Sequence, residues 1–376
     1  MKILITGAGG FIGKNLTAAL RYMDGFEILP YDINEEEGTL ARYAGECEFV
    51  VHLAGINRPL DQKEFMTGNA GFTEELLAAL ENAGNRCPVL VTSSVQAALD
   101  NPYGKSKLAA ESLIFEYGKR TGAEVFVYRL PNVFGKWCRP NYNSAVATFC
   151  HNIARDLPIT VTDPAIRLTL VYIDDVVEEI IRVMREGTAD APDGENQILG
   201  VPVFYQATLG KITSLLYGFK ESRKTLEVAD MADGFEKKLY ATYLSYLPPE
   251  EFAYDLTMHE DARGSFTEMI RTPERGQFSV NISKPGIVKG EHWHHTKNEK
   301  FLVVSGKGVI RFRNIASENA EITEYYVSGD RLRVVDIPPG YTHNIENLGD
   351  TDMVTIMWAN EPFCPEKPDT YAEKVK

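Results

Sequence analysis

Three residues within 286–306, and a fourth further on, have the types and spacing to hold a metal ion. His292 and His294 lie two apart, Glu299 follows five residues later, and His343 comes after the turn Pro338-Pro339-Gly340. On an extended strand, residues two apart point to the same side, so the two imidazoles are aimed together. Three histidines and one carboxylate suit a borderline divalent metal such as zinc. With an open coordination position, such an ion polarises a carbonyl. His295, Lys297 and Tyr341 lie near this set and read as supporting or packing residues. His295 is expected to point away from His292 and His294 if the strand is regular. A second set does different chemistry. Tyr103 and Lys107 are four apart and share a helix face, and Ser94 ends an apolar run upstream. An ammonium beside a phenol favours the phenolate. With a serine hydroxyl, the pair can give and take a proton at a carbonyl or alcohol.

The elements that must carry these residues follow from local pattern. Residues 2–6 (KILIT) form an apolar strand that stops at Gly7, and a helical pattern begins at Phe11. The glycines run G-x-x-G-x-x-G, as Gly7, Gly10 and Gly13, with Phe11 and Ile12 between the last two. Strand, glycine turn and helix form the context of a dinucleotide-binding loop. Glycine lets the backbone approach a pyrophosphate, and the helix start supplies amide donors. A second strand, 27–31, ends at Asp32, where a carboxylate accepts from adenosine ribose hydroxyls and so favours NADH over NADPH. Further strands are expected at 49–53 and 88–92, and helices at 69–83, 103–117, 174–185, 208–219 and 233–247, with a Pro/Gly/Asp-rich loop at 188–195. His52 reads as a packed residue at a strand end. Pro248-Pro249 then breaks the pattern, and from 252 the chain turns to short alternating runs with Gly and Asn turns. That texture predicts a small barrel or jelly roll. The domains are therefore expected at 1–247 and 252–376.

Composition narrows the function classes. The chain has 376 residues, and a net charge of -14 argues against a nucleic-acid or anionic-membrane surface. No apolar run is long enough to span a bilayer, and the opening residues enter a strand rather than a signal-peptide core. The five scattered cysteines read as free thiols of a reducing compartment, which points to the cytoplasm.

Taken in order, the first set of motifs resembles the extended short-chain dehydrogenase/reductase family. The matching residues are Thr6-Gly7-x-x-Gly10-x-x-Gly13, His52-Leu53-Ala54-Gly55, Ser94, Tyr103-x-x-x-Lys107 and Arg129-Leu130-Pro131-Asn132-Val133-Phe134-Gly135. The resemblance implies a Rossmann-like, doubly wound α/β parallel sheet. It gives Tyr103 the role of general acid/base. Lys107 holds the nicotinamide ribose, Ser94 orients the substrate carbonyl, and Leu53, Ala54 and Gly55 line the cofactor. Asn132 falls near a nucleotide-sugar diphosphate. Arg167 is one residue away from the position where this family carries a basic residue, and is given no phosphate role. The later stretch resembles the cupin pattern: Gly286-x5-His292-x-His294-x4-Glu299-x6-Gly306, then Pro338-x-Gly340-x-x-His343-x-x-x-Asn347. It implies an all-β jelly roll with the metal ligands named above.

The two halves together, with Arg139-Pro140-Asn141-Tyr142-Asn143-Ser144 and the stretch 286–313, resemble reductase–cupin fusions of capsular polysaccharide synthesis. That likeness implies a homodimer using NADPH and Zn2+ on a UDP-activated 4-keto amino sugar, with Arg139 at the substrate. The cupin would epimerise sugar position 3 and the reductase would reduce the position 4 ketone, on the route to UDP-N-acetyl-L-fucosamine. Such fusions often carry a basic residue where this chain has Ile33, so NADH stays open beside NADPH. Two other readings also stand: a reductase with a structural or dimer-forming zinc cupin, and a non-enzymatic redox or sugar sensor.

Overall fold

The computed structural model describes residues 1–59, 61–187, 197–272, 274–316 and 320–376. The loop expected at 188–195 lies outside the described residues. Two compact units form, one from residues 1–217 with 233–248 and one from 218–232 with 249–376.

In the first unit, six strands pair in parallel in the order Glu27–Tyr31, Lys2–Thr6, Phe49–His52, Val89–Ser94, Val125–Leu130 and Ile198–Leu199. Alternate residues of each strand go to opposite faces. Ile3, Ile5 and Val51 pack with Leu16 and Leu20 of the helix Phe11–Leu20 and with Val176 and Ile180 of Ile173–Glu186. Leu4 and Val50 pack on the other face with Leu76 and Leu80 of Phe72–Asn82 and with Ile114 of Pro102–Thr121. Burial on both faces explains why these strands read as continuous apolar runs. A small sheet of Asn132–Phe134, Arg167–Tyr172 and Tyr205–Thr208 completes the unit. The doubly wound architecture is as expected from the sequence.

The second unit is a jelly roll of two antiparallel sheets, as the cupin pattern implies. One contains Met258–Asp261, Gly264–Thr272, Gly276–Ser283, Met353–Ala359, Glu299–Ser305 and Val334–Ile337. The other contains Thr323–Ser328, Lys307–Asn314, Tyr341–Asn347, Val288–Trp293 and Tyr371–Ala372. Phe301, Val303, Ile310, Phe312, Ile337 and Ile345 fill the core. Because Phe301 and Val303 point inward, Leu302 and its cross-strand neighbours Ile356 and Val280 point out. Phe278, Ile282 and Val354 share that outer face, and Phe278 and Ile356 are 41% and 37% exposed. Segment 218–232 joins this unit through Val228, whose amide donates to the Arg271 carbonyl at 3.1 Å.

Candidate functional site

The glycine loop of the first unit is built by close approach. Gly7 has φ +71°, and a Cβ there would stand 2.8 Å from the Ala54 amide nitrogen. A Cβ at Gly13 would stand 2.2 Å from the Gly7 carbonyl oxygen. Neither position accepts a side chain, and the same packing seats Leu53-Ala54-Gly55 beside the loop. The helix opening at Phe11 has no side-chain cap at Gly10, so its first amides and the positive end of its dipole are available to an anion. Asp32 sits at the end of the second strand, and its Oδ2 accepts from the Gly9 amide at 2.6 Å. Ile33 beside it is 94% exposed.

Ser94 ends the strand Val89–Ser94, and Tyr103 and Lys107 occupy the first two turns of Pro102–Thr121. Asn101 starts that helix by accepting from the Gly104 amide at 2.7 Å, with Pro102 at its first position. One cleft of about 540 Å³ takes in Gly7, Gly10, Phe11, Ile12 and Gly13, then Leu53 and Gly55, and also Ser94, Tyr103, Lys107, Asn132 and Arg139. Ala54 instead borders a small cell behind Lys107, together with Glu111. Asp32 is not among the residues lining the cleft.

Electrostatics sharpen the roles available. Burial raises the Tyr103 phenol above its usual range, and its hydrogen bond with Ser94 only partly offsets this. The shift is thus the reverse of the phenolate-favouring one expected from Lys107. At neutral pH Tyr103 is the protonated acid, the form that can donate to a ketone oxygen. Burial also lowers Lys107 to about 8, while Glu111 pulls the other way. Gly55 makes room for that ammonium, since a Cβ there would lie 3.0 Å from Lys107 Nζ. Glu111 is itself fixed by Arg129, at 2.9 and 2.6 Å, and by Ser93 at 2.5 Å. His52 is the packed residue that the sequence suggested. It is buried between Thr6 (2.7 Å) and Thr73 (2.9 Å) and depressed to about 3, by burial first and Lys107 second.

In the second unit the ligand atoms of His292, His294, Glu299 and His343 all lie within 4.8 Å of one another. The strand premise behind that prediction holds only in part. The strand Val288–Trp293 ends before His294, and its register shifts between Gly290 and His292, where Glu291 takes φ +59°. The two rings still converge, with centroids 4.9 Å apart. His343 stands on Tyr341–Asn347, directly across from His292. Glu299 Oε2 lies 3.4 Å from His294 Nε2 and 3.5 Å from His343 Nε2. Two ligands of one tetrahedral zinc stand roughly 3.4 Å apart at ordinary bond lengths. These same three atoms are buried with no hydrogen-bond partner, an arrangement that would be costly without a cation between them. The residues therefore fit a divalent ion. Burial, then His343 and His294, lower His292 to about 4, which leaves it neutral and able to ligate at pH 7. Burial opposes the Glu299 charge, yet the close approach of His294 and His343 and the nearby Lys297 hold it well below the usual carboxylate range.

His295 is exposed and packs on Trp293 and Tyr371, with ring centroids 4.5 and 5.0 Å away. Lys297 Nζ reaches to 3.7 Å from Glu299. Three residues at the sites escaped sequence reasoning. Asn69, on the π-helical turn Met66–Gly71, bonds Ser106 at 2.9 Å and stands beside Gly55, opposite Lys107. Trp137 lines the cleft in the left-handed region, φ +69°. Asp369 accepts from the loop that follows His294. Only Trp137 carried a local cue, in its position after Gly135.

Residues 3–198 match the NAD dependent epimerase/dehydratase family, and residues 259–371 match the polysaccharide biosynthesis C-terminal domain. A UDP-2-acetamido-2,6-beta-L-arabino-hexul-4-ose reductase from Pseudomonas aeruginosa is 46% identical over 372 residues, 99% of this chain and 98% of the relative. The crystal structure of capsular polysaccharide assembling protein CapF from Staphylococcus aureus superposes with TM-score 0.92 and 55% identity, covering all of both chains. A UDP-glucuronic acid 4-epimerase from Bacillus cereus, solved with NAD, shares the fold of the first unit at 21% identity. Its TM-score is 0.55, over 65% of this chain and 96% of that one.

Proposed function

The chain belongs to the NAD dependent epimerase/dehydratase family, and on that premise we propose a bifunctional enzyme acting on a UDP-activated 4-keto-6-deoxy N-acetylhexosamine in capsular polysaccharide synthesis. Residues 252–376 epimerise sugar position 3. Residues 1–247 then reduce the 4-ketone with a nicotinamide cofactor, giving UDP-2-acetamido-2,6-dideoxy-L-talose on the route to UDP-N-acetyl-L-fucosamine. The observation that carries this reading is the single cleft joining the glycine loop to Ser94, Tyr103 and Lys107. Nearly full-length likeness to a hexul-4-ose reductase supports the substrate class.

In the reductase half, Gly7, Gly10, Phe11, Ile12 and Gly13 bind the cofactor pyrophosphate, with Leu53, Ala54 and Gly55 beside it. The bound cofactor supplies the hydride. Ser94 and Tyr103 hold the ketone oxygen, and Tyr103 gives it a proton as the alcohol forms. Lys107 holds the nicotinamide ribose and steadies the phenolate left behind. Asn132 lies near the nucleotide diphosphate, and Arg139 binds the substrate. Resemblance implies NADPH. Asp32 beside the Gly9 amide, with uncharged Ile33 next to it, favours NADH.

In the cupin half, His292, His294, Glu299 and His343 hold zinc. Zinc there supplies Lewis acidity at the ketone oxygen, which makes the hydrogen at position 3 removable. A zinc that serves only as a brace is the second reading, favoured by the near-complete burial of His294, Glu299 and His343. The apolar outer sheet face around Ile356 supports a homodimer. Free thiols at Cys47, Cys87, Cys138, Cys150 and Cys364 support a cytoplasmic setting.

The test uses Tyr103→Phe on the 4-keto UDP-N-acetyl sugar in deuterated water. Nicotinamide oxidation should fall by about 10²- to 10⁴-fold while deuterium still enters at position 3. Loss of both activities together would refute separable sites. Undiminished deuterium entry in folded, metal-stripped protein would favour the brace.

A further inference from the structure

Segment 368–376 is woven into the metal cluster from far along the chain. The Asp369 backbone carbonyl lies 2.6 Å from His294 Nδ1. Its carboxylate accepts from the amides of His295 (3.0 Å), Thr296 (2.9 Å) and Lys297 (2.9 Å), and from Thr296 Oγ1 (3.1 Å). Asp369 has φ +41°, a conformation that aspartate tolerates better than most residues. The residues after it continue the attachment. Ala372 pairs with His292, Tyr371 stacks on Trp293 at 4.9 Å, and the Glu373 amide donates to the Glu291 carbonyl at 2.9 Å.

The carbonyl and the carboxylate of Asp369 both bear on ligand geometry. An imidazole can ligate through one nitrogen only when the proton sits on the other. A carbonyl at Nδ1 keeps the proton there and frees Nε2, which is one of the partnerless buried atoms of the cluster. The carboxylate meanwhile clamps 295–297, the start of the loop joining His294 to Glu299, and so sets the span between two ligands. We infer that Asp369 is a positioning residue of the metal centre, fixing the His294 tautomer and the His294-to-Glu299 spacing without touching the ion. This inference rests on the zinc reading above.

The experiment compares full-length parent, Asp369→Asn and Asp369→Ala after metal stripping. Zinc affinity is read by competition with a chromophoric chelator, the cobalt-substituted visible spectrum reports ligand geometry, and apo thermal melts report the fold. Asparagine keeps the size and backbone preference but turns an NH₂ toward amide donors; alanine removes the clamp. Both substitutions keep the backbone carbonyl at His294 and so read the carboxylate clamp. Groups that orient metal ligands from outside the ligand set typically contribute about 10- to 100-fold in metal affinity. The expected losses are thus about 10-fold for Asp369→Asn and about 100-fold for Asp369→Ala, with an altered cobalt spectrum and an unchanged apo melt. Zinc affinity within about twofold of the parent, with the parent's cobalt spectrum, would overturn the inference. Collapse of the fold in Asp369→Asn would also overturn it, making Asp369 a staple of the fold. If Asp369→Ala alone fails to fold, Asp369→Asn decides. A parent that takes up no zinc would overturn the zinc reading itself, and this inference with it. A parent that binds zinc normally beside unaffected variants would overturn this inference alone.

Discussion

Raising the pH through 8 should switch off reduction, and the residue responsible is Lys107. Its ammonium is lowered by burial to about 8, so the charged form is the one lost as pH rises. Tyr103 moves the other way, so loss of its phenol proton does not account for a descending limb near pH 8. His52, depressed to about 3, stays neutral throughout. A pKa near 8 leaves Lys107 about nine-tenths charged at pH 7, about one-tenth at pH 9 and about one-hundredth at pH 10. If the ammonium is required, kcat/KM for the ketone should fall roughly tenfold from pH 7 to 9 and roughly a hundredfold to pH 10. The assay is the initial rate of nicotinamide oxidation at low ketone, because kcat/KM reports the free enzyme. Lys107→Arg adds a control. Guanidinium keeps its charge through this range, so its profile should be flat, although the rate is lower because the larger head must fit against Gly55. A parent profile flat from pH 7 to 10, or a Lys107→Arg profile that keeps the descending limb, would refute the assignment.

Three further outcomes follow from other parts of the molecule. A phosphate on the adenosine ribose would meet the Asp32 carboxylate with no compensating charge at Ile33. A repulsion of roughly 1–4 kcal/mol predicts NADH preferred by about fivefold or more in kcat/KM, and equal use would contradict it. Ile356→Lys puts a charge in the middle of the apolar outer sheet face and should convert a dimer to monomers in analytical ultracentrifugation, whereas an unchanged mass would remove that face from the interface. Zinc at about 100 times its Kd should stabilise the protein by about 2.7 kcal/mol in calorimetry, and Glu299→Gln should abolish most of that gain; identical melts with and without zinc would count against a built site.

The parts legible in sequence are those whose chemistry is local. Gly7, Gly10 and Gly13 announce themselves because a turn packed on Ala54 at Gly7, and on its own Gly7 carbonyl at Gly10 and Gly13, leaves little room for side chains, and that exclusion shows as residue type. Tyr103 and Lys107 are legible because one helix repeat fixes their relation. His292, His294 and Glu299 are legible by spacing, though the reason differed. A bulge at Glu291 and the end of the strand at Trp293 bring the rings together, rather than a regular alternation. What stayed hidden depends on balances or on distant chain. Whether burial or Lys107 governs Tyr103 is a competition of magnitudes, and sequence supplies neither depth nor distance. Asn69 and Asp369 reach their sites through folding of segments 37 and 75 residues away from their partners, with no periodicity to mark them. The helix expected over 208–219 runs on to Thr225 because most of its later residues, Lys220, Glu221, Arg223 and Lys224, are polar but good helix formers, which a hydrophobic pattern undercounts.

The chemistry also says why two such sites suit one chain. Epimerisation beside a ketone interconverts two ketones of similar energy, so alone it ends in a mixture. The step needs the ketone, because only the carbonyl makes the neighbouring hydrogen acidic. Reduction removes that carbonyl and with it the acidity, so whichever epimer is reduced is fixed. On the proposed reading, selectivity for the product therefore belongs to the hydride step, at Ser94 and Tyr103, and not to the metal site. The demands on the two sites then differ. On that reading, the cupin cluster has only to stabilise charge at one oxygen, which a fixed set of three histidines and one carboxylate can do. On the same reading the cleft must discriminate between epimers, which requires more wall. Trp137, Arg139 and Tyr142 line it from one short segment, with Arg139 lying 5.1 Å over the Tyr142 ring. Stored strain at Trp137, of order 1–3 kcal/mol, fits a residue held in place to shape that wall.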